Sequence, residues 1–236
     1  ADSGTAFGST QSNSFGYNAR SEVTSATMGS DTYSYGFDQI GNRLTFTNNT
    51  VSVSYTPNQL NQYTDIDSQS PDYAADPVHD DDGNLTDYQD WDYSWNGENR
   101  MVVAEDGATK VESAYDSQGR RVEKKVYSWD AGTSTYVLDE TITYVWDGYN
   151  ILAEYSDEGW THYYTWGLDL SQSLQGAGGV GGLLAMHRDT GTSTDTYLYG
   201  FDANGNVVHL QDAADGSIVA AYQYSPFGQV TNATGA

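Results

Sequence analysis

Apolar and polar residues alternate with a period of two along most of the chain, and the helical period is almost absent. In "VSVSY", Val51, Val53 and Tyr55 fall on one face of an extended segment, while Ser52 and Ser54 fall on the other. "VEKKVYSW" sets Val122, Lys124 and Val126 opposite Tyr127 and Trp129; "ETITYVW" aligns Ile142, Tyr144 and Trp146; "AAYQY" aligns Tyr222 and Tyr224. β-Branched and aromatic residues dominate these runs, as a half-buried pleated surface requires. The nearest approach to a helix, "SEVTSATMG", is full of Ser and Thr and lacks a cap and a stop. The pattern predicts an all-β fold.

A turn signal recurs between the runs. Asp38, Asp80, Asp116 and Asp202 each have a glycine three places on: Gly41, Gly83, Gly119 and Gly205. Asp at the first position of a type I turn accepts a backbone N–H two residues on, and Gly at the fourth supplies a positive φ. The residue before each Asp (Phe37, His79, Tyr115, Phe201) is expected to end a strand and pack inward. Shorter corners are expected at Asp106-Gly107, Asp147-Gly148, Asp157-Glu158-Gly159, Asp189-Thr190-Gly191 and Asp215-Gly216. The phrases "YGFDQIGN" at Tyr35 and "YGFDANGN" at Tyr199 share six of eight letters. Asp38, Asp80 and Asp116 are spaced at about twice a ~20-residue strand–turn–strand unit. One such unit cannot bury its own face, so neighbouring copies must share a core. The reading is one antiparallel β domain over residues 1–236, with residues 1–14 as an N-terminal arm and 229–236 as a tail.

Longer phrases carry a family resemblance. "YSWNGENRMVVAEDG", "AYDSQGRRVEKKVY", "TWGLDLSQSLQGAGGVGGLLA" and "YGFDANGNVVHLQDAADGSIVAAYQYSPFG" resemble the YD repeats and core of the Rhs (rearrangement hotspot) superfamily. The strongest anchors are Trp166 through Leu184 and Pro226-Phe227-Gly228. The resemblance implies a β-sheet strip that spirals, as in bacterial Rhs proteins, insecticidal toxin-complex shells and teneurins. Such strips wind into hollow shells that can enclose a C-terminal toxin, on secreted or surface-attached proteins that act in competition, adhesion or recognition. Family members usually continue past the Pro-Phe-Gly phrase into a segment with aspartate self-cleavage residues and then a toxin. This chain stops at "QVTNATGA", so the resemblance places neither self-protease nor effector within it.

Composition narrows the function classes. The 236 residues include 20 Tyr and 6 Trp, enough aromatic area to build a core despite 37% hydrophobic content. Asp and Glu number 33 against 9 Lys and Arg, a net charge of −24. A nucleic-acid partner needs a basic face to displace counterions, and anionic membranes are disfavoured for the same reason. Between Leu44 and Asn99 there are eleven acidic residues and no Lys or Arg, which reads as a solvated face. No apolar run is long enough for a transmembrane helix, so membrane insertion is not expected. There is no Cys and hence no disulfide. The opening "ADSGTAFGST" is not a leader peptide, and the expected location is extracellular or the cell surface.

Candidate chemistry is sparse. Gly176-Ala177-Gly178-Gly179-Val180-Gly181 fits G-x-G-x-x-G, but "LLAMH" is too short for the helix a dinucleotide site needs, so a loop is expected. His79, His162, His187 and His209 are scattered without metal-ligand spacing, and no G-x-S-x-G is present. "DDDGN" at Asp80–Asn84 reads as a solvated corner, with a structural calcium loop as the alternative. Glycosylation sequons occur at Asn48, Asn84 and Asn232. Trp91 and Trp95 are the aromatic pair that would stack on a surface glycan, against the simpler reading that they fill the strip's inner face. No catalytic or cofactor-binding residue is expected, and the metal question stays open. The expectation is a non-catalytic structural or interaction module, self-assembling into a fibre or tube or belonging to a larger shell. The alternatives are a toxin-encapsulating shell fragment and a carbohydrate-binding adhesin.

Overall fold

The computed structural model describes residues 12–235, and every regular element among them is a β-strand in an antiparallel ladder. The residues of the expected N-terminal arm up to 11 lie outside the described residues, while Asn13 and Ser14 already open the first strand. The repeat is uniform in sequence, but packing divides the chain into two compact units. Unit 1 comprises Ala1–Asp106 with Ser225–Gln229, and unit 2 comprises Gly107–Tyr224 with Val230–Ala236.

Unit 1 opens with six strands in sequence order: β1 (Asn13–Tyr17), β2 (Val23–Met28), β3 (Asp31–Phe37), β4 (Arg43–Asn48), β5 (Val51–Pro57) and β6 (Tyr63–Ser68). The "SEVTSATMG" segment is thus strand β2. Four short strands follow: β7 (Val78–His79), β8 (Leu85–Tyr88), β9 (Trp91–Trp95) and β10 (Met101–Glu105). Burial follows the period-two pattern, with Ala26, Tyr33, Tyr35, Phe46, Val53 and Ile66 forming the core. Ser52 and Ser54 stay exposed on the other face of β5. Tyr35 and Phe46 stack at 5.4 Å, and Tyr73 meets Phe46 edge-on at 5.7 Å. The Arg43 guanidinium lies 4.2 Å from the Phe227 ring centre and 5.1 Å from that of Tyr35. Burying each large apolar side chain here is worth about 2–3 kcal/mol.

Unit 2 is a longer meander in sequence order: β11 (Thr109–Tyr115), β12 (Arg121–Asp130), β13 (Thr135–Asp147), β14 (Asn150–Ser156), β15 (Thr161–Trp166), β16 (Leu183–Asp189), β17 (Thr194–Phe201), β18 (Val207–Asp212), β19 (Ile218–Tyr224) and β20 (Val230–Gly235). The C-terminal stretch expected to be a tail forms β20, paired with β19 from Ala220↔Gly235 to Tyr224↔Val230. All its side chains are exposed, so it carries no apolar alternation for a sequence reading to find.

One corner design shapes both units. Among the described residues ten segments share it, headed by Asn18, Asp38, Asn58, Asp80, Asn96, Asp116, Ser156, Asp169, Asp202 and Ser225. In each, the head's N–H donates to the carbonyl four residues on, at 2.7–3.1 Å. The residue three places on always has positive φ, from 56° at Asn99 to 99° at Gly41. This is the three-residue hairpin, a type I turn closed by a left-handed residue and a bulge. The glycine of the YGFD phrase has a separate cause. A Cβ on Gly36 would lie 2.5 Å from Thr45 Oγ1, and one on Gly200 would lie 2.1 Å from the His209 ring. The facing side chain lies over the glycine, and only a bare backbone admits it.

Candidate functional site

The head side chains complete the corners. Asp38 Oδ1 accepts from the Ile40 and Asn42 amides, both at 2.9 Å, and its Oδ2 accepts from Asn42 Nδ2 at 2.8 Å. Asp80 with Asn84 and Asp202 with Asn206 repeat the arrangement, and Asp116 accepts from Arg120 Nε instead. Asn58 reverses the polarity: its Nδ2 donates to Gln62 Oε1 at 2.9 Å. Side-chain hydrogen bonds from Asn84 and Arg120 hold the Asp80 and Asp116 carboxyls below the usual carboxylate range. Neighbouring corners also join, through Asn42 Nδ2 to Asn61 Oδ1 at 3.2 Å and Asn84 Nδ2 to Asn99 Oδ1 at 3.1 Å. Both Asp80 oxygens are therefore occupied within "DDDGN", and no group of three metal-ligating side chains occurs among the described residues. The Asn84 sequon amide is engaged in the same corner.

In unit 2 the glycine-rich segment is a tight loop organised by Asp169, which is 2% exposed. Its carboxylate accepts from Ser171 Oγ at 2.6 Å, the Ser171 amide at 2.9 Å, the Ala177 amide at 2.6 Å and the Gly179 amide at 3.3 Å. The Ser171 hydroxyl, outweighing burial, and then the amides hold this carboxyl down to about 2. The G-x-G-x-x-G pattern here cradles the chain's own carboxylate rather than a phosphate, with Gly178, Gly179 and Gly181 in the left-handed region.

A second polar group lies on the sheet face of unit 2. Register places Tyr144, Glu154 and His162 side by side on β13, β14 and β15. His162 Nδ1 is 3.6 Å from Glu154 Oε2. Burial, with Glu154 adding to it, pushes the Tyr164 and Tyr199 phenols up, so both stay protonated donors at neutral pH. Trp160 stacks on His162 with ring centres 4.4 Å apart, and its indole N–H donates to Glu140 Oε1 at 2.8 Å. Beside this pair a cavity of about 310 Å³ opens across β15 to β19. Trp160, His162, Met186, Tyr197 and Tyr222 form its walls with Arg188 among them. Such a site suits binding: it offers apolar walls, pinned rings and one cation.

The histidines do not converge. His79 is in β7, His187 Nδ1 pairs with Thr196 Oγ1 at 3.0 Å, His209 covers Gly200, and His162 alone reaches the cavity. Trp91 and Trp95 are both half-buried in β9, and the Trp95 indole N–H donates to the Leu85 carbonyl at 2.7 Å. The cavity was not legible in sequence because its lining comes from five strands whose alignment depends on register.

With this architecture in view, the family model for the teneurin YD-shell matches residues 5–130. The chain belongs to the teneurin YD-shell family. It is thus an Rhs/YD-repeat protein, as the repeated corners indicate. Among curated proteins, this YD-shell chain is 28% identical over 207 residues to the tRNA3(Ser)-specific nuclease WapA of Bacillus spizizenii and to the tRNA nuclease WapA of Bacillus subtilis. Each match covers 84% of the chain but only 8% of the relative's length. Among solved structures, TcdB2-TccC3 matches with a TM-score of 0.53 at 12% identity, over 95% of this chain and 14% of that one. The Photorhabdus luminescens Tc holotoxin pore gives 0.51 at 12% identity, over 95% and 13%. These structures share the fold. No helix among the described residues is long and apolar enough to cross a membrane.

Proposed function

We propose that this YD-shell chain is a non-catalytic wall segment of a larger Rhs-type shell that works outside the cell or at its surface. One observation carries the reading: the side chains that would be first suspects for chemistry, Asp38, Asp80, Asp116, Asp169 and Asp202, are the heads of a repeated corner with their oxygens occupied. The curated relatives are named as tRNA nucleases and a fold neighbour as a Tc holotoxin pore, and in an assembly of that kind this segment's share of the work is to build the container. Its strand edges are the joining surfaces. Among the described residues β20 pairs on one side only, and an open backbone edge templates addition of another strand, from flanking chain or from a second copy. Head-to-tail addition of copies gives an open fibre or tube.

Two measurements test this. Incubating the purified chain with total tRNA and Mg²⁺ is expected to leave the tRNA intact, since the net charge of −24 repels it; cleavage at a defined site would overturn the structural role. Light scattering across a concentration series is expected to show growth beyond the monomer. A monodisperse monomer at high concentration would eliminate self-assembly and leave only the flanking-chain version.

A further inference from the structure

We infer that the unit 2 cavity binds a small organic acid, with its flat apolar body between the rings and its carboxylate on Arg188. At about 310 Å³ the cavity is at the small end of ligand pockets, which run from roughly 300 to 1,000 Å³ and suit a bicyclic ring. Its walls are ordered before any ligand arrives. Trp160 is held by its hydrogen bond to Glu140 and by stacking on His162, while Tyr197 and Tyr222 come from separate strands of the same sheet. A sugar would need many polar partners, and most of this lining is apolar.

Charge selects the ligand's sign. In a chain with 33 acidic and 9 basic residues, Arg188 is the one Lys or Arg in the cavity lining, and no Asp or Glu lines the cavity with it. Arg188 forms no ion pair among the described residues, although His162 and Asp195 are its direct cross-strand neighbours. Its guanidinium is exposed and free to take a carboxylate through two parallel hydrogen bonds. Asp195 is the competing anion within reach of that position, and it is expected to weaken the site.

The test is calorimetric titration of the full chain with 2-naphthoate and with its neutral analogue 2-naphthamide. Naphthoate is expected to bind one site and quench tryptophan fluorescence, with the amide about tenfold weaker or more, as loss of a charged hydrogen bond predicts. Arg188→Gln should lower naphthoate affinity to that of the amide, and Asp195→Asn should raise it; Arg188 is exposed and Asp195 half-buried, and circular dichroism confirms folding of both variants. Lys124→Gln, outside the cavity, should leave binding unchanged. Equal affinity for acid and amide, no saturable binding, or equal losses in Arg188→Gln and Lys124→Gln would overturn the assignment. A peptide ending in an aromatic residue shares this chemistry. N-acetyl-tryptophan binding tighter than naphthoate assigns the site to a chain end, and the reverse assigns it to a free acid.

Discussion

In β1 to β6 of unit 1, each buried apolar residue alternates with an exposed Ser, Thr or Asp, so one face is a core and the other is solvent. In β11 to β20 of unit 2 the contrast blurs: all of β18, and β12 up to Tyr127, are half-buried, and the sheet face carries Tyr, His and Glu around a cavity. The same corner builds both. The difference lies in what the strands carry, and it teaches that the hairpin scaffold is indifferent to its faces. Strands β2 to β6 of unit 1 devote their inner face to packing, whereas unit 2 leaves part of its face open around the cavity.

Acid tests the corners of both units at once and should have the largest effect. Protonation first lowers self-repulsion from the −24 charge, so stability is expected to hold or rise as pH falls toward the pI near 4.1. Below that the sign reverses. Asp80, Asp116 and Asp169 have folded-state pKa values below their unfolded ones, so their contribution is present above about 4 and lost as pH falls through the folded values. Melting temperature should therefore drop steeply between about pH 4 and 2, with Asp169, held near 2, the last of these to release. A flat profile through this window would contradict the corner electrostatics.

Core truncation separates the units. Phe46→Ala empties a stacked, buried position in unit 1 and should cost about 3–5 kcal/mol in denaturant unfolding. Tyr197→Ala lines an open cavity, and roughly half that cost is expected because less packing is lost. Equal costs would remove the distinction drawn between the two faces. The smallest effect comes from the left-handed corner position. Ser21, at φ 63°, occupies the place that Gly41 fills in the next corner. Ser21→Gly should stabilise by about 0.5–1 kcal/mol, while Gly41→Ala should destabilise by about 1–2 kcal/mol.

The strand period was plain in the sequence because Val, Tyr and Ser alternate in segments such as Val51–Tyr55, and the Asp-x-x-Gly corners were plain because Gly is so specific for positive φ. Half the corner set was hidden. Asn18, Asn58, Asn96, Asp169 and Ser225 head equivalent turns, and Ser21, Asn61, Asn99 and Gln172 replace glycine, while Ser156 heads the corner expected from Asp157-Glu158-Gly159. For Asn18 and Asn58 the signal is the acceptor four residues on, Glu22 or Gln62, the mirror of the donors Asn42 and Asn84 after Asp38 and Asp80. The Asp169 loop shows the opposite limit. Its glycines were legible as a loop, but the carboxylate that organises them is seven or more residues away in sequence, and only the fold brings it underneath.

Amide hydrogen exchange at the fourth position after each head tests the central claim most directly. The amides of Asn42, Gln62, Asn84, Arg120 and Asn206 each donate to a head oxygen on an otherwise exposed turn. The account predicts that all five are protected, whether the head is Asp or Asn, and that the Asp-headed ones lose protection together below about pH 4. Exchange at the rate of an open loop would show that the corners are not closed by their heads, and the strip they define would have to be abandoned.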